Sequence, residues 1–480
     1  MSDDINVKIG LEIHVPVKSR QKLFCYCQTN YWETGEPNVN TCPVCTGMPG
    51  AKPYPLNEYA IETAIMVAEL LECKVVTNEN IFVKRKHYDY PDLPSGYQRT
   101  SEPIGVEGNL SGVGIWEVHL EEDPGRYDLE SGRVDYNRSG VPLIEIVTAP
   151  DMKSAVDARI FLRELTNLLD YTERVVDVGG VMRADTNISI EGGAKVEIKN
   201  INSVKGAFKA IQYEIIRQKQ LMKRGLTVTQ ETRGFNEKSL ITTAQRVKET
   251  ADDYRYIPDP DIPPQEFDGG YVGGIELPET PQTRRKRFLK DLSISENFAK
   301  TLVKDKDIAD LFENVSGKID PTLAATWISR EVLGQLKYRG IEYGESKLNE
   351  GIVVELLTLV SSGKITDNVG KKLLERVIDS GESPEKIVSE EGLVKKSDKS
   401  ELEDISYSVL SENVKPILDY LKGEENSINY LMGEVMKATH GTAAPEQVIL
   451  TLENTLADYG ASTYPKTPEG VREYLKKYEK

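Results

Sequence analysis

The sequence has no long hydrophobic run. Hydrophobic residues make up 39% of its 480 residues and charged residues 29%, the usual balance of a soluble globular protein. No apolar stretch approaches the roughly 20 residues that a membrane-spanning helix needs. The start, MSDDINVKIG, has neither the basic nor the apolar region of a secretory signal. We therefore expect no membrane association and a cytoplasmic location.

The sequence also lacks the motifs of common nucleotide-binding and hydrolytic enzymes. It has no G-x-x-x-x-G-K-[S/T] or G-x-G-x-x-G loop, which excludes the ordinary glycine-rich phosphate sites. It has no G-x-S-x-G element, which excludes that nucleophile turn. Only four histidines are present, few for a histidine-rich metal hydrolase. If the chain uses ATP, it does so with an unusual pocket.

Positive charge is in the minority. The chain has 77 acidic and 60 basic residues, a formal net charge of −17. Because phosphate contacts usually come with a basic balance, this sum argues weakly against a nucleic-acid binder. The basic runs KRK at 84–86 and RRKR at 284–287 remain available to meet phosphates.

Strand and helix patterns divide the chain into three parts. In VKIGLEIHVPV, residues 7–17, apolar side chains alternate with Glu12 and His14, which predicts a strand with one buried face. The proline-rich YIPDPDIPPQEF and ELPETPQT end the mixed region near residue 280. Helix signals follow, and KKSDKS at 395–400 is typical of a linker. We predict an α+β domain over 1–280, a helical domain over 283–398 and a small helical tail over 400–480.

Four of the five cysteines form two tight pairs, Cys25 with Cys27 and Cys42 with Cys45. Four thiolates at this spacing can surround a tetrahedral Zn²⁺. A site filled by four sulfurs is closed and therefore structural. We predict a zinc module over residues 25–45; the alternative is four unligated thiols.

Acidic residues crowd the stretch GIWEVHLEEDPGR at 114–126. Strand alternation would place Glu121 and His119 on one face, and Trp116 with Val118 on the other. If this strand and the first share a sheet, their carboxylates and imidazoles meet in one cavity. Such a group needs a cation, and Mg²⁺ carrying phosphates suits oxygen ligands. The alternative is a solvated acidic edge.

Nine blocks, in order from about residue 6 to about residue 458, carry a family resemblance: KIGLEIHVPV, CPVCTGMPGAKP, KRKHYDYPDLPSGYQ, HLEEDPG, DYNRSGVPLIEIVTAPD, RADTNISI, EIKNINS, RVKETADDYRYIPDPDIP and LMGEVMKATHGTAAPE. The chain resembles the B subunit of aspartyl/glutamyl-tRNA amidotransferase, the GatB family. The absence of an inserted domain in the helical half favours this family over the longer archaeal GatE. The resemblance implies an α+β cradle domain, a helical domain and a small helical tail that binds tRNA.

The resemblance also implies an activity. The family is understood to use Mg²⁺-ATP to phosphorylate the side-chain carboxylate of misacylated Asp-tRNA(Asn) or Glu-tRNA(Gln). Ammonia then displaces phosphate and gives Asn-tRNA(Asn) or Gln-tRNA(Gln), so the enzyme is a ligase that forms a C–N bond with glutamine as amido donor. An amidase-type A subunit releases the ammonia, and a small C subunit completes a heterotrimer. Whether aspartate or glutamate is the natural substrate stays open.

The same resemblance assigns candidate residues. Glu12, His14, Glu121 and Glu122 match the family's Mg²⁺ positions. Lys86 is the candidate phosphate cation, with a solvent-facing lysine as the alternative. Five more residues lie in family motifs that line the cradle for ATP or the aminoacyl end: Arg183, Asp185, Asn187, Lys199 and Asn200.

Two other classes of function remain open on the residues alone. One is a zinc-ribbon protein that binds tRNA or another nucleic acid without catalysis, in which the acidic group is mere surface. The other is a metal-dependent hydrolase that acts without ATP.

Overall fold

The computed structural model describes residues 6–128, 130–176, 182–246, 254–394, 399–439 and 441–476. The predicted linker at 395–400 falls largely outside these residues. The chain divides into two compact units, Met1–Pro281 and Gln282–Lys480. The first is a mixed sheet with helices and the second is helical, which confirms the predicted fold class.

The first unit is built on one large sheet. The strands are β1 (Val7–Pro16), β2 (Lys74–Val75), β3 (Val83–His87), β4 (Tyr97–Ser101), β5 (Gly105–Leu110), β6 (Val113–Glu122), β7 (Arg126–Tyr127), β8 (Val134–Asp135), β9 (Pro142–Thr148), β10 (Arg183–Ile190), β11 (Val196–Lys199), β12 (Glu231–Asn236), β13 (Ile241–Arg246) and β14 (Ile257–Pro258). The main path of the sheet runs β13-β12-β11-β10-β1-β9-β6-β4-β3-β14, with β5 pairing both β2 and β6. Pairings are antiparallel except β11 with β12; β7 and β8 form a separate ribbon.

The helices of this unit are α1 (Glu58–Leu70), α2 (Ala155–Asp170), α3 (Val204–Lys223) and α4 (Gly269–Gly273). Ser154 caps α2 by accepting a hydrogen bond from the backbone N–H of Asp157, as its residue type favours. The apolar stripe of α2 and the apolar face of β1 join one hydrophobic core. The helices thus cover the apolar side of the sheet and leave the polar face of β1 free for a site.

One predicted strand face is wrong in detail. Trp116 does not share the buried face of Val118; it is 56% exposed. The pairing of β6 with β9 shifts register between Ile115 and Glu117, and such a bulge redirects the residue it contains. Ile115 is buried instead. From Glu117 onward the alternation holds.

The second unit contains two apolar clusters, one spanning Phe288 to Val388 and one spanning Leu402 to Leu475. Asp320 and Ser383 cap two of its helices, each with proline in the first turn, as these residue types favour. The helices are α5 (Pro281–Asp291), α6 (Glu296–Leu302), α7 (Lys306–Ser316), α8 (Pro321–Thr326), a π-helix (Trp327–Val332), α9 (Leu333–Arg339), a 3₁₀ turn (Tyr343–Glu345), α10 (Glu350–Ser361), α11 (Asp367–Ser380), α12 (Pro384–Glu391), α13 (Lys399–Glu412), α14 (Val414–Leu421), α15 (Asn426–Ala438), α16 (Pro445–Ala461) and α17 (Pro468–Leu475).

The two basic runs are largely engaged by carboxylates. Lys84 lies 2.7 Å from Glu102, and Arg85 lies 2.9 Å from Asp259. In the second run the pairs are Arg284 with Glu313, Arg285 with Glu296, and Arg287 with Glu313. These five side chains are therefore paired with carboxylates, and they do not provide the free positive charges that the sequence suggested for phosphate binding. Among the described residues, no helix is long and apolar enough to cross a membrane.

Candidate functional site

A cavity of about 830 Å³ lies in the first unit, on the polar side of the central strands. A second, of about 500 Å³, adjoins it. Six residues line both: Glu12, Lys86, Glu121, Glu145, Lys199 and Tyr254. Charged side chains from β1, β3, β6, β9 and β11 thus converge, because alternate residues of neighbouring strands project to the same side.

His14, Glu121 and Glu145 form the centre of this site. The His14 Nε2 atom lies 3.6 Å from a carboxylate oxygen of each glutamate. One ligand atom from each residue lies within 4.8 Å of the others, so the three can hold a metal ion. The register explains the meeting: β9 lies between β1 and β6, and Glu145 is opposite both His14 and His119.

Burial and mutual charge perturb all three groups. Burial on its own lowers the pKa of His14, but contact with Glu121 and the charge of Glu145 raise it to about 9. Burial favours the neutral form of Glu121, yet His14 and Lys86 lower its pKa to about 2. Burial and the charge of Glu121 raise the pKa of Glu145 to about 7. Strongly shifted groups beside a cavity are typical of functional sites.

Lys86 reaches the same centre from β3. Its ammonium lies 5.0 Å from the centre of the Tyr254 ring, a cation–π distance. Burial alone lowers the pKa of Lys86, but the charges of Glu121 and Glu145 hold it above its usual value. Lys86 is therefore a charged group at the cavity.

A second acidic group lies beside the first. Glu12, Asp185 and Glu197 also place ligand atoms within 4.8 Å of one another. Asn187 Nδ2 donates to Glu12 at 2.8 Å, and Lys199 Nζ donates to Asp185 at 3.2 Å. Of the five residues predicted for ATP or the aminoacyl end, four line the larger cavity: Arg183, Asp185, Lys199 and Asn200. Asn187 instead supports Glu12.

Arginines form another wall of the larger cavity. Arg183 donates to both carboxylate oxygens of Asp123 at 2.9 Å. Arg138 lies 3.5 Å from the same carboxylate and donates to the carbonyls of Pro124 and Gly125. Since the Asp123 side chain is fully buried, this arrangement fixes two guanidinium groups at the cavity.

Glu122 is not brought into the cavity. As the neighbour of Glu121 on a strand, it projects to the opposite face. There its carboxylate accepts the backbone N–H of Arg99 at 3.1 Å and lies 3.4 Å from the Arg99 guanidinium. The structure therefore joins Glu121 to His14 and places Glu122 elsewhere.

Sequence reasoning missed Glu145. One local signal is a single carboxylate in the otherwise apolar strand PLIEIVT of β9, where a buried charge would be costly without partners. It also missed Arg138 and Tyr254, which line the larger cavity. All three lie in blocks that carry the family resemblance, Arg138 and Glu145 in DYNRSGVPLIEIVTAPD and Tyr254 in RVKETADDYRYIPDPDIP, and that membership is the signal that could have found them.

The four cysteines meet in one cluster, with their sulfurs within 4.8 Å of one another. The Cys42 and Cys45 sulfurs are 3.9 Å apart, close to the roughly 3.8 Å expected for two sulfurs bound at about 2.3 Å to tetrahedral zinc. Burial raises the pKa of Cys27 to about 12, whereas contact with Cys25 lowers that of Cys45 to about 5. The cluster fits a bound metal ion.

Two family matches cover most of the chain. Residues 7–272 match the GatB/GatE catalytic domain, and residues 310–456 match the GatB domain. Both cavities lie within the first match.

Curated relatives align over nearly their whole length. The B subunit of the aspartyl/glutamyl-tRNA(Asn/Gln) amidotransferase of Methanothermobacter thermautotrophicus is 49% identical over 92% of this chain and 98% of the relative. Proteins of the same name from Methanocaldococcus jannaschii and Methanopyrus kandleri are each 49% identical over 95% of the chain, covering 98% and 100% of the relative.

Proposed function

The chain belongs to the GatB family, the B subunits of aspartyl/glutamyl-tRNA(Asn/Gln) amidotransferases, and we propose how its cavity performs the amidation. The substrate is Asp-tRNA(Asn), Glu-tRNA(Gln) or both, and the product is the corresponding amide. One observation carries the assignment of the site. His14, Glu121, Glu145 and Lys86 converge in a cavity of about 830 Å³, inside the region that matches the family's catalytic domain.

Mg²⁺-ATP is the proposed phosphoryl donor. Glu121 and Glu145 would hold the cation, and His14 would join them on releasing its proton, since a ligating imidazole is neutral; Glu12 lies on the same face of β1. A divalent ion there would neutralise charge on the phosphate oxygens. Lys86 adds a positive charge from β3, and Arg183 and Arg138 face the anionic groups from the other wall.

The reaction has two steps. An oxygen of the substrate's side-chain carboxylate attacks the γ-phosphorus of ATP, the bond to ADP breaks, and an acyl phosphate forms. The nitrogen of ammonia then attacks the acyl carbon, phosphate leaves, and one proton passes to solvent. The acyl phosphate is needed because an oxide ion is a very poor leaving group, whereas phosphate is a good one.

We infer that ammonia comes from another subunit. Four cysteines belong to the metal cluster and the fifth, Cys73, is buried in the core, so none of the five occupies a recognisable glutaminase setting. We therefore assign ammonia release to an amidase-type A subunit, with a small C subunit completing the heterotrimer in the cytoplasm. Zinc in the cysteine cluster is structural, and the tail over 400–480 binds the tRNA body.

The first test measures nucleotide product against amide formed. The chain is reconstituted with A and C subunits, misacylated tRNA, ammonia and Mg²⁺-ATP. We expect one ADP per amide, and loss of both products in Glu121→Gln. The matched control is Glu107→Gln, because Glu107 is an exposed glutamate of β5 paired with Lys74.

Other products would contradict the proposal in different ways. AMP with pyrophosphate would mean an acyl-adenylate instead of an acyl phosphate. Amide formation that is unchanged in Glu121→Gln would move the catalytic site out of this cavity. Hydrolysis without ATP, or tRNA binding without any amide, would favour the hydrolase or the binding protein.

A further inference from the structure

Lys22 is a lysine buried to 1% exposure, which is rare for this residue type unless the charge is paired. Its Nζ atom donates to the carbonyl of Asn40 at 2.8 Å and to that of Tyr136 at 3.1 Å. It also donates to the sulfur of Cys45 at 3.4 Å. An ammonium group has three N–H bonds, and all three find acceptors. One of those acceptors belongs to the cysteine cluster.

The charge of the cluster explains why a lysine is placed there. Four thiolates around a divalent ion carry a net charge of about −2. A charge held away from water is costly unless it is paired. The positive charge of the Lys22 ammonium offsets about half of this negative charge, and it lies beside the buried sulfur of Cys45. Groups that contact metal ligands in this way commonly tune how tightly the metal is held.

The same region is tied to the arginine wall of the larger cavity. Ser139 Oγ donates to the carbonyl of Cys45 at 2.9 Å, and the backbone N–H of Asn40 donates to Asn137 Oδ1 at 2.8 Å. Asn137 and Ser139 are thus two anchors on either side of Arg138, whose guanidinium lies 3.5 Å from Asp123. The anchors therefore fix the backbone that carries a cavity guanidinium.

The Lys22 stem strengthens this link. The backbone N–H of Leu23 donates to the carbonyl of Gly140 at 2.8 Å. A Cβ on Gly140 would lie 3.6 Å from both the Lys22 Cδ and the Cys45 Cβ, so both side chains face the Gly140 backbone. Segment 136–140 is thus held to the cluster by both main-chain and side-chain atoms.

We propose that Lys22 is a positioning residue that couples metal occupancy of the cysteine cluster to substrate binding in the larger cavity. Its ammonium stabilises the metal-bound thiolates and at the same time holds segment 136–140. Loss of the metal then loosens the segment and displaces Arg138 from the wall that it shares with Arg183. The inference rests on the proposed zinc and on the proposed role of the cavity.

The test compares Lys22→Met with Lys18→Met in the reconstituted three-subunit enzyme. Methionine keeps an unbranched apolar stem but no charge, and Lys18 is an exposed lysine nearby. We expect Lys22→Met to bind zinc about 10 to 100 times more weakly and to release it faster to a chromophoric chelator, with Lys18→Met unchanged. The KM for misacylated tRNA should rise at least about threefold in Lys22→Met, with a smaller change in kcat. Wild-type enzyme stripped of zinc should show the same KM.

Two results would overturn the inference. Zinc release at the wild-type rate in Lys22→Met removes the charge argument, and zinc loss with an unchanged KM removes the coupling. If Lys22→Met does not fold, Ser139→Ala replaces it. That variant keeps the ammonium and every thiol, so it should hold zinc normally and still raise the KM; an unchanged KM overturns the coupling.

The same measurements distinguish failure of the proposed function from failure of this inference. Wild-type enzyme that contains no zinc overturns the zinc assignment and this inference together. A nucleotide product other than ADP, with zinc present and the Lys22 effects intact, overturns the proposed reaction alone.

Discussion

Glu145 and Glu122 are both carboxylates of central strands, but their surroundings differ. Glu145 lies 3.6 Å from His14 at the cavity. Glu122 lies on the other face beside Arg99, whose side chain is 7% exposed. A carboxylate at the cavity can act on charge that develops during phosphoryl transfer. One that contacts a buried arginine mainly stabilises the fold.

We therefore predict opposite effects for two identical substitutions. Glu145→Gln should lower kcat for amide formation by about 100-fold or more, with an unchanged unfolding temperature. Glu122→Gln should lower stability by about 2 kcal/mol, because a hydrogen bond to a charged buried group weakens. Its effect on kcat should be smaller than tenfold. Steady-state kinetics and thermal unfolding check both variants.

The reverse pattern would contradict this assignment of the two glutamates. A large loss of kcat in Glu122→Gln, with normal stability, would restore Glu122 as a metal ligand and require rearrangement of β6 on substrate binding. Glu107→Gln again serves as the matched surface control, since Glu107 lies outside both cavities.

At the scale of elements, Asp259 fastens the short strand β14 to β3 and β4. It accepts two hydrogen bonds from Arg85 at 2.9 Å and one from Arg99 at 2.8 Å. The residue is 3% exposed. Tyr254 and Tyr256 lie just before β14 and line the second cavity. The ion cluster therefore positions aromatic side chains at the site.

Asp259→Asn should weaken this attachment. Removing one partner of a buried ion cluster costs about 3 kcal/mol or more, since Arg99 then loses the charge of Asp259 and keeps Glu122 as its remaining carboxylate partner. Burial alone raises the pKa of Asp259, but Arg85 and Arg99 hold it below its usual value. The ionised form thus stabilises the fold above the unfolded pKa of about 3.9, and this contribution is lost as the pH falls through the lower folded pKa.

Native-state hydrogen exchange of the β3 and β4 amides measures the effect. The wild type and Asp259→Asn should differ fully at pH 5 and above, and the difference should shrink toward pH 3. A difference that is constant across this range would mean that the Asp259 charge does not stabilise the strands. Glu107→Gln provides the control, because its carboxylate is exposed.

Local patterns predicted single elements well, and long-range pairing explains what they missed. The alternation in β1 and the Ser154 cap of α2 are readable because each depends on neighbours in sequence. The insertion of β9 between β1 and β6 depends on the pairing of β1 with β9, whose partners, such as His14 and Glu145, are more than a hundred positions apart. Glu145 could therefore not be placed beside His14, and the bulge that exposes Trp116 has no signal of its own.

At the scale of the whole molecule, charge is distributed in a way that limits nucleic-acid binding by a broad basic face. The net charge is −17, and Arg284, Arg285 and Arg287 of the longer basic run pair with carboxylates. We therefore expect tRNA to be recognised by shape and by a few local cations. Affinity should accordingly depend less steeply on salt than that of a protein with many phosphate contacts.

Removing the tail tests whether the helical tail binds tRNA while the first unit binds ATP. Its apolar cluster, from Leu402 to Leu475, is separate from the clusters that precede it. A chain ending at Val394 should keep both earlier apolar clusters. It loses contacts to the tail such as the hydrogen bond from Thr366 Oγ1 to the Gly441 carbonyl at 2.7 Å. Its KM for ATP should stay at the wild-type value. The KM for misacylated tRNA should rise at least about tenfold, equivalent to about 1.4 kcal/mol of lost binding. An unchanged KM for tRNA would place the contacts in the first 394 residues, whereas a raised KM for ATP would show that the tail supports the catalytic unit.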